Sequence, residues 1–444
     1  MSCLKELIGI LSQIRYESMP EQTVEQAKNC IADCLSIFAF GKNMQPALEL
    51  KAALGGDAVY TNAEDLAYWI GGATRLLDLD DGQRFAMGHP GVPIVSAAVA
   101  TARMVPQNIC GTLFLESIVR AYETYCYIGR CINPSSYLER GFDATCVCGA
   151  SAAAVASGTL LGLSDIQLAN AIAIAASLCG GLNQYVEDGS SPKYLCAGWG
   201  AKLGISAAKL ASHGLTGPDE VFEGPLGFCH AFSPEPNLEH MMHPKLSWEI
   251  NYSYLKRFSC VRRIHTTLDC VKDIFREDGL SVDDVATVNV YGGRFIASAG
   301  SYAPTTEVKA QTCVPYTVAL LMRYDEVTLE RIENHLHDPE IETLSRKVIV
   351  IEDETFNRLT EKDPSLWGAV RVELIDKQGN SHIRESHVAI GDPEKPFSKE
   401  ILHKKFMSLA LASWDEARAQ AIWESIQSLE KKQSEPLLFL NIIN

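Results

Sequence analysis

The chain has 444 residues, 47% hydrophobic and 21% charged. That size and balance exclude wholesale disorder and point to two domains, with a third not excluded. The formal charge of −16 argues against nucleic acid and anionic membrane surfaces as partners.

The first 245 or so residues have helical grammar. Glu21–Gly41 sets Val24, Ala27, Ile31, Cys34, Leu35 and Phe38 on one stripe, and Gly41 fits the residue after the helix end. Helices follow at Gly149–Leu163, Ile166–Cys179 and Ala197–His213, each closed by glycine or Pro-Gly punctuation. In the last, Ala197, Gly200, Ala201, Gly204, Ala208 and Ala211 form a nearly bare face, the pattern of a helix packed at the centre of a bundle. The apolar runs near 150–163 and 168–182 are built largely of Ala and Gly, so they read as packed soluble helices and not membrane spans.

The grammar changes after Trp248. Val285–Tyr291 alternates as a strand, Val348–Ile351 is a β-branched run, and Val370–Ile375 with His382–Val388 read as a hairpin about Asp376–Asn380. Helices at Cys270–Arg276 and Pro315–Met322 are interleaved. From Ser398 a terminal helix follows. The predicted fold is mainly α: a large all-helical bundle of residues 1–247 plus 395–444, with a smaller α+β lid domain, 248–394, inserted.

The 14 cysteines lie singly in apolar stretches, without a Cys-x-x-Cys pair, and the opening residues show no signal-peptide pattern. Reduced thiols in a cytoplasmic protein are expected, and Cys146 with Cys148 suit no metal. An EF-hand is excluded at Asp78, because its fifth and twelfth positions hold Gly82 and His89.

The segment Asp78-Leu79-Asp80-Asp81 with His89-Pro90 collects proton-transfer groups. Helix capping and Asx turns are the bland explanation. The functional one is that clustered carboxylates do not all ionise cheaply, so one gains a raised pKa. His89 is the best single candidate for a general base. Lys193 stands in Gly189-Ser190-Ser191-Pro192 before the bare helix, where lysine and helix amides suit an anion. Lys256, Arg257, Arg262, Arg263 and His265 crowd five basic side chains into ten residues at the domain junction. They form either a solvated face or the wall of a cleft for a small polyanion, with arginine forks suited to carboxylates.

Taken in order and spacing, these pieces resemble the MmgE/PrpD family, which includes 2-methylcitrate dehydratase, cis-aconitate decarboxylase and iminodisuccinate epimerase. The match is carried by Asp78-Leu79-Asp80-Asp81…His89-Pro90, Lys193…Ala197-Gly198-Trp199-Gly200-Ala201…Gly204, and Gly217-Pro218…Phe222-Glu223-Gly224-Pro225-Leu226-Gly227-Phe228. Lys256-Arg257-Phe258 and Pro396-Phe397-Ser398…Lys404-Lys405-Phe406 complete it. The resemblance implies a homodimer with its sites between the domains. It implies catalytic roles for Asp78, His89, Lys193, Lys256 and Tyr316. Two departures stand out: Asp143 where many members have a histidine, and Ser259-Cys260-Val261-Arg262-Arg263 where a histidine would follow Phe258 closely. His265 is a shifted substitute.

The expected activity is that of a lyase, without metal or organic cofactor, that abstracts an α-proton from a small anionic di- or tricarboxylate. Lys193, Lys256 and Arg263 form the cationic clamp, and His89 or Asp78 moves the proton. Asp143, Arg262, Arg263 and His265 are expected to contact substrate. An epimerase of the iminodisuccinate type and a non-catalytic carboxylate binder are the alternatives.

Overall fold

A computed structural model describes residues 2–105, 109–432 and 437–443. It is mainly helical, with a small α+β domain. Helix α1, Glu21–Gly41, buries the predicted stripe and takes in Gly41, which was expected just past its end. Then come α2 (Ala63–Arg75), α3 (Gly91–Met104), α4 (Gly111–Ile132), α5 (Ala144–Leu160), α6 (Asp165–Leu178) and α7 (Pro192–Ser212). The start of α5 lies five residues before the predicted Gly149, because Asp143 caps it by accepting the Thr145 N–H at 2.8 Å. Cys146 and Cys148 are therefore both helical, and both are buried.

Helix α7 packs between α2 and α5 and also touches α3 and α6. Its small residues allow that. A Cβ on Gly204 would lie 2.4 Å from Ala153 Cβ, and one on Gly71 of α2 would lie 2.6 Å from Gly198 Cα. Gly200 is less demanding, since an added Cβ there meets nothing closer than 3.5 Å. No helix among the described residues is long and apolar enough to cross a membrane.

The inserted domain opens with α8, Arg262–Asp278, and continues through β1 (Val285–Gly292), α9 (Val314–Tyr324), β2 (Val348–Glu352), β3 (Val370–Asp376) and β4 (Ser381–Ser386). The sheet order is β2-β1-β3-β4. Strand β2 runs parallel to β1 through Val288↔Val348, and the other pairs are antiparallel. Gly379, at φ +87°, makes the predicted β3–β4 turn. Alternation buries Val370, Val372 and Leu374 of β3, while β4 is an edge strand with mixed exposure.

Helix α8 begins eight residues before the predicted Cys270. Val261 supplies no side-chain cap, so no local signal marks this start. The consequence is large, because Arg262 and Arg263 become the first turn of a helix.

After the sheet the chain returns as two helices where one was expected: α10 (Lys399–Ala410) and α11 (Glu416–Gln427), the second capped by Asp415. Leu402, Phe406, Trp423 and Ile426 join the core of the helical bundle. A second core unites Ile264, Leu268, Val288, Val318, Val372 and Leu374 of the inserted part with Leu77 and Leu79 from the loop after α2. That loop therefore threads between the two cores.

Candidate active site

The site is built where α2 ends. Asn62 caps α2 by accepting the Asp65 N–H, and Arg75 lies in its last turn. Asp78 then takes φ +50°, a left-handed conformation that an aspartate tolerates better than most residues and that turns the chain inward. Gly82 and Gln83 pair antiparallel with Tyr254 and Ser253. This two-residue ladder brings Lys256 against Asp78 across 178 positions of sequence. Gly82 is required there: a Cβ would lie 2.2 Å from the Tyr254 hydroxyl. From the terminal segment, Lys405 of α10 donates to the Leu79 carbonyl at 3.0 Å and holds the loop from behind.

Asp78 is the hub. Its Oδ1 accepts from Arg75 Nη1 at 2.6 Å and from Lys256 Nζ at 2.6 Å, while Oδ2 accepts from Lys193 Nζ at 3.1 Å. Burial alone would raise its pKa. Lys193, Lys256 and Arg75 outweigh that and hold the carboxyl well below the usual range. Asp78 is thus a fixed anion whose lone pairs are spent on three cations. It is poorly suited to carry a proton in turnover.

The expected raised carboxyl exists one step further on. Asp81 is pushed up to about 8, mainly by burial, with Asp80 and Asp33 adding to it against the opposing hydrogen bond from Tyr122. Its Oδ2 accepts from the Tyr122 hydroxyl at 2.8 Å and its Oδ1 from the Gly91 N–H at 3.0 Å. It packs behind the loop and does not line the cleft. Asp80 is held low by Arg75, at 3.0 Å, and by His89, although burial opposes this.

His89 lines the cleft. Its Nδ1 lies 2.7 Å from the Asp81 carbonyl and 3.1 Å from Asp80 Oδ2. Facing two oxygens, Nδ1 carries the proton, which leaves Nε2 as the accepting nitrogen. Burial and the Arg75 charge push the pKa below 6.5 against the pull of Asp80. The ring is thus neutral at pH 7, the state a general base requires.

Lys193 follows Pro192 in the first turn of α7. Besides Asp78 it donates to Gln311 Oε1, and burial lowers its pKa to about 8 despite Asp78. Lys256 is fully buried and also donates to the Asp78 carbonyl at 2.9 Å. Asp143 lines the cleft, but its carboxylate is engaged by Thr145 N–H and by the Tyr185 hydroxyl at 2.9 Å.

The basic cluster divides. Arg262 lines the cleft with its fork held by Asp392, Nε to Oδ1 at 2.7 Å and Nη2 to Oδ2. Arg263 also lines it, has no carboxylate partner among the described residues, and keeps a buried Nε without a hydrogen-bond partner. Arg257 lies outside the helix, is exposed, and reaches Asp269 at 3.4 Å.

Three expected site residues do not line the cleft: Asp78, which lies buried behind the lysines it holds, and His265 and Tyr316, which are turned away from it. His265 stands two positions, about 200° around the helix, from Arg263. Its ring is therefore turned inward against Phe258, with Nε2 3.2 Å from the Cys260 carbonyl. Burial and the neighbouring Arg262 and Lys256 charges hold it well below 6.5. It does not replace a missing histidine. Tyr316 sits on the face of α9 that enters the core of the α+β domain, and its hydroxyl donates to the Ile332 carbonyl at 3.2 Å. Thr312, just before α9, lines the cleft in its place, and the buried Gln311 beside it accepts from Lys193.

Reasoning from sequence missed Arg75, Gln311, Tyr137 and Tyr185. Only Arg75 had a signal, since a basic residue in a last helical turn three positions before Asp78 can reach it. The others arrive through tertiary packing.

Two family models cover this arrangement. The MmgE/PrpD N-terminal domain matches residues 5–241, and the MmgE/PrpD C-terminal domain matches residues 258–431. The chain belongs to the MmgE/PrpD family. Both sides of the cleft lie inside these matches: His89 and Lys193 in the first, Arg262 and Arg263 in the second. The chain is similar to the cis-aconitate decarboxylase-like protein oryM of Aspergillus oryzae, 24% identical over 463 residues, 96% of this chain and 94% of that protein. It is also similar to cis-aconitate decarboxylase of Aspergillus terreus, 24% identical over 377 residues, 80% and 76% of the two chains. A third similarity is to cis-aconitate decarboxylase of Homo sapiens, 24% identical over 384 residues, 82% and 76%.

Proposed function

We propose that this MmgE/PrpD-family chain is a lyase that works through a carbanion beside a carboxylate of a small di- or tricarboxylate, formed either by abstraction of an α-proton, with water then leaving from the adjacent carbon, or by departure of carbon dioxide, with a proton then returned to the carbanion. The observation that carries the reading is Arg263. It is a guanidinium without a carboxylate partner among the described residues, in the same cleft as a neutral histidine and a lysine of lowered pKa. A half-buried guanidinium without a counter-ion, its Nε shut off from solvent, is well placed to be completed by an anionic ligand. An Arg fork accepts a carboxylate at two points.

In this reading Arg263 and the helix-borne Lys193 hold the carboxylate ends of the substrate. His89 Nε2 takes the proton from the carbon between them. Negative charge then develops on the carboxylate next to that carbon, where Lys193 and Lys256 stabilise it. Lys193, with a pKa of about 8, is protonated on most molecules at pH 7 and is able to return a proton to the product carbon or the leaving group. Asp78 holds Lys193, Lys256 and Arg75 in place and touches no substrate. Asp143 serves as the cap of α5 and a wall of the cleft.

The names of the relatives support the decarboxylating form, in which carbon dioxide leaves its electron pair on carbon and a proton returned there balances it. The absence of a second histidine supports a substrate other than cis-aconitate. The test is incubation in heavy water with citrate, methylcitrate, cis-aconitate, malate, aspartate, iminodisuccinate and thioether-linked succinates, followed by NMR. Deuterium wash-in with carbon dioxide or water loss supports a lyase. Wash-in with inversion and no loss replaces it with an epimerase. Binding without any wash-in overturns the chemistry.

A further inference from the structure

His89 stands at the end of a short loop, and one side chain closes that loop from inside. The His89 Nδ1 meets the Asp81 carbonyl at 2.7 Å across eight positions of sequence. One rung inward, Gln83 and Gly88 pair antiparallel. The Gln83 N–H donates to the Gly88 carbonyl at 2.8 Å, and the Gly88 N–H returns to the Gln83 carbonyl at 3.4 Å. The Gln83 side chain is fully buried and fills the loop itself: its Oε1 accepts the Phe85 and Ala86 N–H groups at 2.8 Å each. Met87 completes the turn at φ +55°. The loop has no slack behind it, since a Cβ on Gly88 would lie 2.1 Å from the Tyr125 hydroxyl.

The other end of the same amide is anchored outside the loop. Gln83 Nε2 donates to Glu249 Oε2 at 2.9 Å. Arg130 grips that carboxylate at 2.9 and 3.0 Å, Ser247 Oγ donates to it at 3.0 Å, and Glu123 accepts the Glu249 N–H at 2.9 Å. Gln83 also pairs its backbone with Ser253, so it joins the segment leading to Lys256 at two points, the ladder and the side chain. The inner end of the side chain must accept two N–H groups and the outer end must donate to a carboxylate, which is what a primary amide offers. Those partners also fix which way the amide points. A methionine would fill the same volume, so packing alone does not call for glutamine.

We propose that Gln83 is a positioning residue that clamps the loop 83–88 to Glu249, so that His89 keeps its Nδ1 on Asp81 and Asp80 and turns its Nε2 to the substrate. The proposal rests on the reading of His89 as the base. Placement matters there because a shift of about 1 Å at a reacting group costs about 10²-fold in rate. A loosened loop also frees Nδ1 from its two oxygens, and a ring protonated at Nε2 presents a donor where an acceptor is needed.

The test is the Gln83→Met variant of the full chain, read in two ways. Ring-nitrogen NMR of isotope-labelled histidine, with the His89 signals identified by their loss in His89→Gln, reports the tautomer without any ligand. The Nδ1–H form is expected in the parent and a mixture of tautomers in the variant. Turnover of the acid that exchanges in the heavy-water panel is expected to show kcat lowered about 10²-fold with KM within about twofold. Gln83→Glu combined with Glu249→Gln exchanges donor and acceptor across the same bond and is expected to restore the tautomer, and kcat to within about tenfold. A role confined to stability lowers the melting temperature and leaves the tautomer and kcat of the folded protein unchanged. That result overturns the proposal, as does an exchanged pair that melts like the parent and recovers neither readout. Should Gln83→Met not fold, Gln83→Asn, one methylene too short to span from the loop to Glu249, is read in its place. A tautomer that changes in the variant although the parent exchanges no acid keeps the clamp and removes the lyase chemistry. Exchange in the parent that Gln83→Met leaves intact removes the clamp and keeps the chemistry.

Discussion

Asp78→Asn is the substitution on which the organisation of the site depends most directly. The carboxylate is fully buried and accepts from Arg75, Lys256 and Lys193 at 2.6, 2.6 and 3.1 Å. At an effective dielectric of about 20 the Asp78–Lys193 attraction alone is about 5 kcal/mol, most of it offset by the desolvation of both ions. Asparagine keeps the shape and removes the charge. Its amide N–H groups then point at one of the cations, donor against donor. Leaving buried charges uncompensated costs about 3–5 kcal/mol. Urea unfolding at pH 7 is expected to show that loss with an unchanged slope. Adding Lys193→Met removes one of the stranded cations, so the double variant is expected to recover about 1–3 kcal/mol relative to additivity. The acid limb follows with a fixed sign. Because the folded pKa of Asp78 is depressed, its contribution is complete above the unfolded value of 3.8 and is lost as pH falls toward the folded one, so Asp78→Asn flattens that limb. A loss under about 1 kcal/mol, or a purely additive double variant, would refute the claim that this carboxylate holds the three cations together.

Other expectations follow from the same geometry. The rate of α-proton exchange should follow a bell in pH, its acid limb below 6.5 from His89 and its basic limb near 8 from Lys193; a basic limb that persists in Lys193→Arg would assign it to another group. Arg263→Met should weaken carboxylate binding about tenfold or more in calorimetry while leaving the melting temperature unchanged or raised, because it removes a half-buried cation that lacks a carboxylate partner among the described residues; a marked loss of stability would make Arg263 structural. Asp81 has a raised folded pKa, so the native state holds its proton longer than the unfolded chain does. Stability should therefore fall between about pH 4 and 8, at up to about 1.4 kcal/mol per pH unit, and Asp81→Asn should remove that slope in melts recorded across the window. Gly71→Ala should destabilise by about 1–3 kcal/mol through overpacking of α2 on α7, since the added Cβ would lie 2.6 Å from Gly198 Cα; neutral unfolding data would contradict the close approach of those helices.

Much of the architecture was readable along the chain. Helix α1 was placed to within a residue because its apolar stripe has the helical period and ends near a glycine. The β3–β4 hairpin was marked by alternation on both sides of Gly379. The close-packed centre was announced by the small residues of α7. The starts of α5 and α8 were harder, because a lone Asp143 and an uncapped Val261 are weak local signals. The acid cluster, His89 and Lys193 were visible as chemistry because their residue types and loop setting are unusual. Which of them titrates was not visible. Asp78 and Asp81 are three positions apart, yet one is held low by three cations and the other is raised by burial.

The sequence by itself determined the periodicities, and with them the mainly helical bundle and the inserted α+β part, because burial of an apolar face needs only local pattern. It also determined which ionisable groups were available. Apart from the local Arg75–Asp78 pair, tertiary structure decided their partners. The two-residue ladder from Gly82 to Tyr254 brings Lys256 to Asp78, and Gln311 reaches Lys193 from another domain. Helical rotation turns Arg263 into the cleft and His265 out of it. Ionisation and reach depend on distances of a few ångströms between residues more than a hundred positions apart, and only the packed chain sets those.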